Sequence, residues 1–303
     1  MRQELLMLKH FSEKTSAIKI AESFVQVANI EKCARLNIET GLKEEIIVSA
    51  SRFFTAVDVI NSDTINLSVE KAALIAQSGN FRASIPAIDA EQTALFSGPY
   101  KEARIKFTAN AFKGIAQMLS FVENERGVLF SAGYAWAKNS IAALKCPATD
   151  GEHVAFIVPA KFLQALLNTK REILSVARRG NTAVFFLDGK MWAETRILDD
   201  TFPDLNVIIK AAKTAIPDGL FDACKQIAPF CGTSNRLRIS NNVRNDENTA
   251  SVSGFDITES AFNGVELCKI LEIADKMDFG GYPQPVQFAG EFVTGAIAPM
   301  MID

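Results

Sequence analysis

Apolar and polar residues recur along this chain in three similar runs, each about a hundred residues long. Every run holds two stretches with the apolar spacing of an amphipathic helix, and stretches that alternate apolar and polar residues follow each of them. Such a repeat indicates a modular protein of three similar units rather than one enzyme fold around one pocket. The predicted helices are Gln3–Lys14, Ser49–Ile60, Ala109–Val122, Val158–Lys170, Asp218–Phe230 and Asn263–Met277.

The second helices of the three runs can be aligned with one another. We place Arg52 at the position of Lys161 and Val265, because an apolar residue then stands two positions later in every run. On this alignment the three helices are predicted to bury equivalent faces.

The alternating stretches predict strands of a sheet with one covered face. Asp188-Gly189 lies between two of them and is a strong hairpin signal. Each unit therefore follows the order helix, strands, helix, strands, and the predicted fold class is α+β, with two helices packed on a β-sheet in each unit. The predicted strands are Ala17–Ala21, Phe24–Ala28, Ala34–Glu39, Thr64–Val69, Ala72–Gln77, Phe81–Ile88, Gly127–Phe130, Ser140–Leu144, Ser175–Ala177, Thr182–Leu187, Met191–Leu198, Arg236–Ser240, Ala250–Phe255, Ser260–Phe262, Val286–Phe288 and Phe292–Ala298.

Turn residues interrupt the pattern where one unit gives way to the next. We predict three domains, over residues 1–102, 103–213 and 214–303. Ser97-Gly98-Pro99 marks the first boundary, and Thr201–Ile209 leads to the second. Neither segment is a long flexible linker, so we expect the units to be docked on one another.

The composition is that of a globular protein with a slight excess of acid. Apolar residues make up 48% of the chain, which allows each unit a core of its own. The net charge of −3 argues against a protein that binds nucleic acid over a uniformly basic surface. Basic residues confined to one face would still create a local positive field.

The cysteines and the first residues predict a cytoplasmic protein. The 5 cysteines show no CxxC spacing, and Cys224 and Cys268 fall on apolar helix positions, where a buried free thiol is expected. Reduced thiols fit the cytoplasm. The start is too charged for a signal peptide, and no apolar run is long enough for a membrane span.

Common catalytic signatures are missing from the sequence. It has no phosphate-binding glycine loop and no nucleophile elbow. His10 and His153 belong to no cluster with metal-ligand spacing. Asp199-Asp200 could share a proton or a magnesium ion, but a solvated turn between units is the better interpretation. We therefore predict no enzymatic activity, no metal and no cofactor.

Basic residues recur on the predicted helices of all three units. For any one of them, simple solvation of an exposed face is the better explanation. The recurrence favours a shared basic surface, although acids such as Asp58 and Glu266 lie on the same helices. The basic set is Lys9, Lys14, Arg52, Lys113, Lys161, Lys170, Arg171, Lys225, Lys269 and Lys276.

Several segments together resemble a known family, the DNA sliding clamp formed by the bacterial DNA polymerase III β subunit. Residues 103–207 resemble its second domain, with a helix, RGVLF, FIVPAKFLQALL and a hairpin that leads into the connector FPDL. Ala296–Ile302 (AIAPMMI) is similar to the family's apolar tail around Met-Pro-Met. The chain looks like a divergent version, of bacterial or phage origin, and the likeness is weakest in the first unit.

The resemblance implies a ring of two chains joined head to tail around double-stranded DNA, with helices lining the ring and sheets outside. Contacts to phosphates would be independent of sequence and weak enough to permit sliding. Candidate lining residues are Lys113, Lys161, Lys170, Arg171, Lys225, Lys269 and Lys276. Candidate contacts between the two chains are Phe81 and Ile85 on one side, and Pro229 and Phe230 on the other.

The resemblance also implies an apolar pocket that binds peptides of DNA polymerase and the clamp loader. Adaptable methionines suit such a groove, although the tail could equally be a strand with alternate side chains in the core. The pocket residues carried over are Asn139, Ser140, Ile141, Pro203, Val207, Ile208, Pro299, Met300 and Met301.

The chain departs from the family pattern at three places. The loop before Ile141 lacks the usual Asp-Gly and basic residues, and Met301 stands where the family has a basic residue. The first predicted helix starts almost at Met1, which leaves one sheet a strand short and one edge open. Two alternatives therefore stay open. One is a clamp-like peptide-binding hub or decoy that does not slide on DNA, and the other is a self-associating structural protein.

Overall fold

The structure of the chain is a computed structural model. It describes residues 1–89, 94–98, 100, 104–123, 126–151, 154–253, 257–280 and 283–301. The predicted boundary at 102/103, His153 and the last two residues lie outside the described ranges.

The order of elements repeats three times. The first repeat comprises α1 (Arg2–Leu8), β1 (Ala17–Ala21), β2 (Phe24–Ala28), β3 (Lys32–Asn37), β4 (Ile46–Ser49), α2 (Ala50–Val59), β5 (Asn66–Glu70), β6 (Ala73–Ser78) and β7 (Phe81–Pro86). The second comprises β8 (Ile105–Lys106), α3 (Ala111–Leu119), β9 (Gly127–Ser131), β10 (Tyr134–Lys138), β11 (Ala142–Pro147), β12 (Phe156–Pro159), α4 (Ala160–Asn168), β13 (Ile173–Arg179), β14 (Thr182–Leu187) and β15 (Met191–Arg196). The third comprises α5 (Leu220–Ile227), β16 (Arg236–Ile239), β17 (Asn242–Arg244), β18 (Thr249–Ser251), β19 (Ser260–Asn263), α6 (Gly264–Leu271), β20 (Lys276–Asp278), β21 (Val286–Ala289) and β22 (Thr294–Ile297).

The strands form four antiparallel sheets. Two large sheets have the orders β4-β1-β2-β3-β15-β14-β13-β8 and β12-β9-β10-β11-β22-β21-β20. Two small sheets have the orders β18-β17-β16-β19 and β5-β6-β7. Each large sheet joins strands of two successive repeats, so the α+β fold class is confirmed while the sheets run across the predicted domain boundaries.

The chain divides into two compact units that cut across the three repeats. One unit comprises Met1–Phe107 with Lys161–Leu198, and the other comprises Thr108–Ala160 with Asp199–Asp303. Each unit holds one large and one small sheet, because the ladder between repeats ties together segments that are distant in sequence. The division into three domains stays a prediction.

The helices bury the faces that the sequence pattern predicts. In the first unit Leu5, Leu8 and Phe11 are fully buried along α1 and the short 3₁₀ turn that extends it. Phe53 of α2 is fully buried as well. The helices are shorter than predicted, and none of those that the structure describes is long and apolar enough to cross a membrane.

Some elements differ from the prediction. The last helix ends at Leu271 rather than Met277, and Lys276 and Met277 belong to β20. The Asp275 N–H donates to the Ala289 carbonyl at 2.8 Å, so the sheet ladder competes successfully with another helical turn. β10, which reads YAWAK, was missed by the sequence analysis.

The repeats differ in their opening strand within the described residues. In the second repeat β8 pairs with β13. In the third, Ala215 forms a single antiparallel bridge with Lys276 of β20. Among the described residues no strand covers the equivalent edge of β5, so the small sheet of the first unit has three strands.

Candidate functional sites

An asparagine forms the same turn in each repeat. The side-chain oxygens of Asn29, Asn139 and Asn245 each accept hydrogen bonds from the backbone N–H groups two and three residues later, at 2.6–3.0 Å. These turns connect β2 to β3, β10 to β11 and β17 to β18. The sequence analysis missed them, although an asparagine after the second strand of every repeat is a readable signal.

The strand after each of the first two asparagine turns pairs with the last strand of the following repeat. We call the β3–β15 ladder the first junction and the β11–β22 ladder the second junction. In the first, the Arg196 N–H donates to the Glu31 carbonyl at 3.0 Å. In the second, the Ala298 N–H donates to the Ile141 carbonyl at 2.9 Å. The two junctions are therefore built on the same geometry.

A connecting segment packs on the large sheet at each junction. At the first, Ala94 and Phe96 pack beside Trp192, and the hydroxyls of Ser97 and Tyr100 donate to the buried Glu194 carboxylate. Burial and that carboxylate raise the pKa of Tyr100 to about 12. The segment is therefore fastened to β15 rather than loose.

β7 and β18 are the elements without such a junction. β18 follows the third asparagine turn, and β7 is the last strand of the first repeat, so both match strands that are paired in the junctions. Within the described ranges, each lies at the edge of its small sheet. Directly after β7 the chain bridges to β4, where the Ile88 N–H donates to the Ile47 carbonyl at 2.9 Å.

A phenylalanine closes the first helix of each repeat. Phe11 is 0% exposed and stacks edge-on against Phe162 of α4, with ring centroids 5.7 Å apart. Phe121 is 1% exposed, and the Lys269 amine lies 5.8 Å from its ring centroid. Phe230, at the same place after α5, is 64% exposed. The first two are covered by the second helix of the next repeat, and the third is not covered in this way.

The backbone corrects the predicted alignment of the second helices by one residue. Each second helix begins at an equivalent residue, which is Ala50, Ala160 or Gly264. The N–H of this residue donates to the backbone carbonyl of the residue just before β1, β9 or β16, at 2.7–3.1 Å. Arg52 is therefore equivalent to Phe162 and Glu266, not to Lys161 and Val265. The predicted alignment was wrong because apolar residues occupy neighbouring positions in the FF and FL pairs.

The structure brings most of the predicted pocket residues together in one unit. The loop Asn139–Ile141 meets the tail through the bond between Ala298 and Ile141, and the Met300 N–H donates to the Ala261 carbonyl at 2.7 Å. Met301 is 66% exposed beyond that bond. The tail thus pairs as an extended strand at one position and presents an apolar end at the next.

The connector lies on the large sheet of the same unit. Leu205 and Ile209 pack against Trp136, Ala143 and Ala296 of three adjacent strands. Gln287 of β21 donates to the Ile208 carbonyl at 3.1 Å. Pro203 and Val207 remain exposed, as a binding surface requires.

Glu266 is a residue of this region that the sequence analysis did not assign to the pocket. Its carboxylate accepts from the Asn139 amide at 3.0 Å and from the Lys269 amine at 2.7 Å. Its side chain is 13% exposed. A half-buried acid therefore stands beside the predicted pocket loop and neutralises one of the predicted lining lysines.

A cavity of about 1330 Å³ lies next to the connector. Val207 and Ile208 are the predicted pocket residues that line it, together with Lys210, Lys213 and Met277. Asp278 holds its wall, because the carboxylate accepts from the backbone N–H groups of Lys213 and Thr214 at 2.8–3.1 Å. These bonds hold the pKa of Asp278 below its usual value.

Three predicted lining residues are exposed on helices. Lys113 is on α3, Lys161 on α4 and Lys225 on α5. Lys113 lies 5.1 Å from the ring centroid of Phe292, and Lys225 lies 4.8 Å from that of Phe221. The amines of Lys113 and Lys225 thus lie near aromatic rings, and all three lysine side chains are exposed to solvent.

The other four predicted lining residues are placed differently. Lys170 lies past the end of α4 in a left-handed conformation, with φ of 56°. Arg171 is 10% exposed and forms ion pairs with Asp188 at 2.5 Å and Glu4 at 3.7 Å. Lys269 is paired with Glu266, and Lys276 is on β20. Three of the seven candidate lining residues are therefore exposed residues of helices.

The predicted contacts between chains lie on the small sheets. Phe81 and Ile85 belong to β7, but Ile85 is 3% exposed, so its side chain is part of the core. Pro229 and Phe230 lie in the exposed turn after α5.

The cysteines are free thiols. Burial raises the pKa of Cys33 and of Cys146 to about 12, and Cys224 is buried as predicted. Cys268 is half-buried. No group of three His, Cys, Asp or Glu residues that could hold a metal ion was found in the part of the chain that the structure describes.

Solved clamp structures share this fold over the whole chain. The β subunit of DNA polymerase from Streptococcus pyogenes matches with a TM-score of 0.81 and 17% identity, over 99% of this chain and 97% of that one. The DNA polymerase III β subunit of Thermotoga maritima matches with a TM-score of 0.78 and 14% identity, over 100% and 97%. The Helicobacter pylori β clamp bound to a DNA ligase peptide matches with a TM-score of 0.77 and 14% identity, over 99% and 97%.

No protein-family model matches the chain, and no curated protein matches it by sequence. The structural likeness nevertheless shows the fold, which is that of the bacterial sliding clamps.

Proposed function

We propose that this protein is a DNA sliding clamp that closes as a head-to-tail ring of two chains around double-stranded DNA. One observation carries the proposal. Three repeats are expected to form three equivalent junctions, but the described part of a single chain contains two. The strands that would form the third, β7 and β18, lie at open sheet edges.

In the proposed ring, β18 of one chain pairs with β7 of the other. The register follows from the two existing junctions, in which Ala34 faces Ala193 and Leu144 faces Gly295. Ala250 is the equivalent of Ala34 and Leu144, and it would face Ala83 of the other chain. The small side chains of Ala250 and Ala83 let the two backbones approach at this pair. Each β7–β18 ladder would join a four-stranded and a three-stranded sheet into one sheet of seven strands.

The helices support the same closure. Phe230 would be covered by α2 of the second chain, as α4 covers Phe11 within one chain. Arg52 is the equivalent of Phe162 and would then stand against the Phe230 ring, where a guanidinium is attracted to the aromatic face. Ring closure would therefore bury the aromatic side chain that one chain leaves exposed.

We propose that Lys113, Lys161 and Lys225 face the DNA. They are exposed on the first or second helix of their repeats, and lysines at such positions attract phosphates without reading bases. The arrangement suits topological retention, because a closed ring needs a weak positive lining rather than tight contacts. The protein has no need of a uniformly basic surface, which agrees with its net charge of −3.

We further propose that the connector, the loop Asn139–Ile141 and the tail bind short peptides of DNA polymerase and of the clamp loader. The exposed apolar side chains of Val207, Ile208 and Met301 support this, since they surround a surface that is otherwise ordered by hydrogen bonds. The Helicobacter pylori clamp of the same fold holds a DNA ligase peptide.

The test measures retention on circular and linear DNA. The mass from light scattering over a dilution series should first give a two-chain species. Fluorescent protein trapped on nicked circular DNA should then elute with it in gel filtration, and should be lost after the DNA is linearised. Replacing Lys113, Lys161 and Lys225 together by Glu should abolish retention, because the lining turns negative. The matched control replaces the exposed Lys43, Lys71 and Lys190, which lie outside the helices.

A clamp-like peptide hub or decoy is the second candidate. The pairing of Arg171 and of Lys269 with acids favours it, because the lining then has fewer available charges. In this case a polymerase tail peptide still binds with micromolar affinity and is released when residues 299–303 are deleted. The triple glutamate variant then behaves like the wild-type protein, and linearisation of DNA changes nothing.

A further inference from the structure

Pro86 occupies a defined place in the β7 edge. It pairs with Ala73, the first residue of β6 after a two-residue turn. In the second repeat, Arg196 pairs in the same way with Thr182, the first residue of β14 after a two-residue turn. Pro86 and Arg196 are therefore equivalent positions at the ends of equivalent strands.

The residue at this position carries a ladder bond in both existing junctions. The Arg196 N–H donates to Glu31, and the Ala298 N–H donates to Ile141, where Glu31 and Ile141 are both the second residue after their turn asparagine. The corresponding acceptor of the third asparagine turn is the carbonyl of Glu247. Proline has no N–H, so Pro86 cannot make this bond.

The rest of the β7 edge offers two donors. In an antiparallel strand alternate residues direct their N–H groups to the same side. Because Arg196 faces β3, so do Trp192 and Glu194, and the first junction has three donors on β15. By equivalence the outward donors of β7 are Arg82 and Ser84 alone.

We propose that Pro86 withholds one backbone hydrogen bond from each junction between chains, which makes that junction weaker than the two junctions within each chain. This inference rests on the proposed ring. Proline on an open strand edge also discourages unwanted pairing. The same residue would therefore act both in the free chain and in the closed ring. It keeps the edge of the free chain from accepting arbitrary strands, and it keeps the closed ring easy to open for DNA entry.

The experiment restores the missing donor. Pro86→Ala in the full chain should lower the dissociation constant of the dimer about 25-fold, because the ring has two junctions between chains and each gains one net hydrogen bond, worth about fivefold. Sedimentation velocity over a dilution series measures the constant, and exchange between differently labelled dimers measures the opening rate, which should fall. Pro159→Ala is the matched control, because Pro159 ends β12, an edge strand outside the proposed junction.

A second variant works in the opposite direction. Ser84→Pro removes one of the two remaining outward donors without removing a bond to β6, and should weaken the dimer at least as much as Pro86→Ala strengthens it. Its melting temperature checks that the chain folds.

The outcomes separate this inference from the ring itself. A wild-type dimer whose dissociation constant is unchanged by Pro86→Ala, or changed equally by Pro159→Ala, overturns the role of Pro86 and leaves the ring standing. Monomers for the wild type and for Pro86→Ala at every concentration overturn both. A wild-type monomer that dimerises after Pro86→Ala supports both.

Discussion

The three asparagine turns are the smallest units in which the repeat can be read. Each asparagine satisfies two backbone N–H groups that would otherwise be left without a partner at the end of a hairpin. Turns of this kind set the strand that follows in register. The asparagines therefore fix which backbone groups face the neighbouring repeat.

Asn139→Ala should destabilise the protein more than a surface asparagine would. The substitution removes two hydrogen bonds from backbone N–H groups and the hydrogen bond to Glu266. We therefore expect the free energy of unfolding to fall by about 2 kcal/mol. Urea denaturation followed by circular dichroism measures it. Asn61→Ala, in an exposed loop, should change it by less than about 0.5 kcal/mol. Equal effects of the two substitutions would contradict the role given to the turn.

At the residue scale, the sequence predicted which helix faces are buried, but it did not predict how the second helices of the three repeats align. The apolar faces of Leu5, Leu8 and Phe53 could be predicted, because burial follows helical spacing. The equivalent of Arg52 in the other repeats could not be predicted. Phe53 and Phe54 are both buried, so either one can be aligned with the buried residue of the other two helices. A one-residue shift corresponds to a rotation of about 100° around the helix. It moves Arg52 from the predicted shared basic surface to a position beside Phe230 in the proposed ring.

At the scale of elements, the helix–strand order of all three repeats was predictable, and the place where α6 ends was not. Ile270, Leu271 and Met277 continue a helical spacing, so the sequence predicted a helix to Met277. From Asp275 onward the backbone pairs with β21 instead, and this pairing depends on residues that are distant in sequence. Short edge segments such as β8 were missed for the same reason, since their pairing partners define them.

Asp278 fastens the segment that pairs beside β20, and its contribution should depend on pH. Its pKa is held below the usual value by N–H groups of Thr214 and Lys213, so the charged form stabilises the fold above the ordinary carboxyl pKa. That contribution is lost as the pH falls through the lowered pKa. Asp278→Ala should therefore lower the melting temperature at about pH 7 and have little effect at about pH 2.

Scanning calorimetry of the two proteins across this range measures the difference. Asp218→Ala is the control, because Asp218 also lines the cavity and its carboxylate has no bond of this kind among the described residues. A difference between wild type and Asp278→Ala that stays constant with pH would refute the assignment to the charged carboxylate.

At the scale of the whole molecule, the proposed contact between Arg52 and Phe230 can be measured directly. Arg52→Ala and Phe230→Ala should each raise the dimer dissociation constant several-fold, and the double variant should lose less than the sum of the two in free energy. Analytical ultracentrifugation gives the constants.

The exposed Val59, at the other end of α2, provides the control through Val59→Ala. Strict additivity of Arg52→Ala and Phe230→Ala would show that the two side chains do not meet.

The fold of the whole chain could be predicted from its repeats and from the segments FPDL and AIAPMMI, and the location of the basic residues only in part. Whether a lysine faces solvent or an acid depends on its neighbours in space. Arg171 illustrates this, because Glu4 and Asp188 come from distant parts of the sequence.

The connecting segments that pack on the large sheets have a further consequence, which concerns effective concentration. The strands of the first and second junctions belong to one chain, so a broken ladder finds its partner again at an effective concentration that does not change on dilution. In the proposed ring, the pairing of β7 with β18 of a second chain is tethered by the other junction alone, and this tether is lost when both junctions are broken. Dilution would therefore act on the separation of the two chains, while the junctions within each chain would be unaffected.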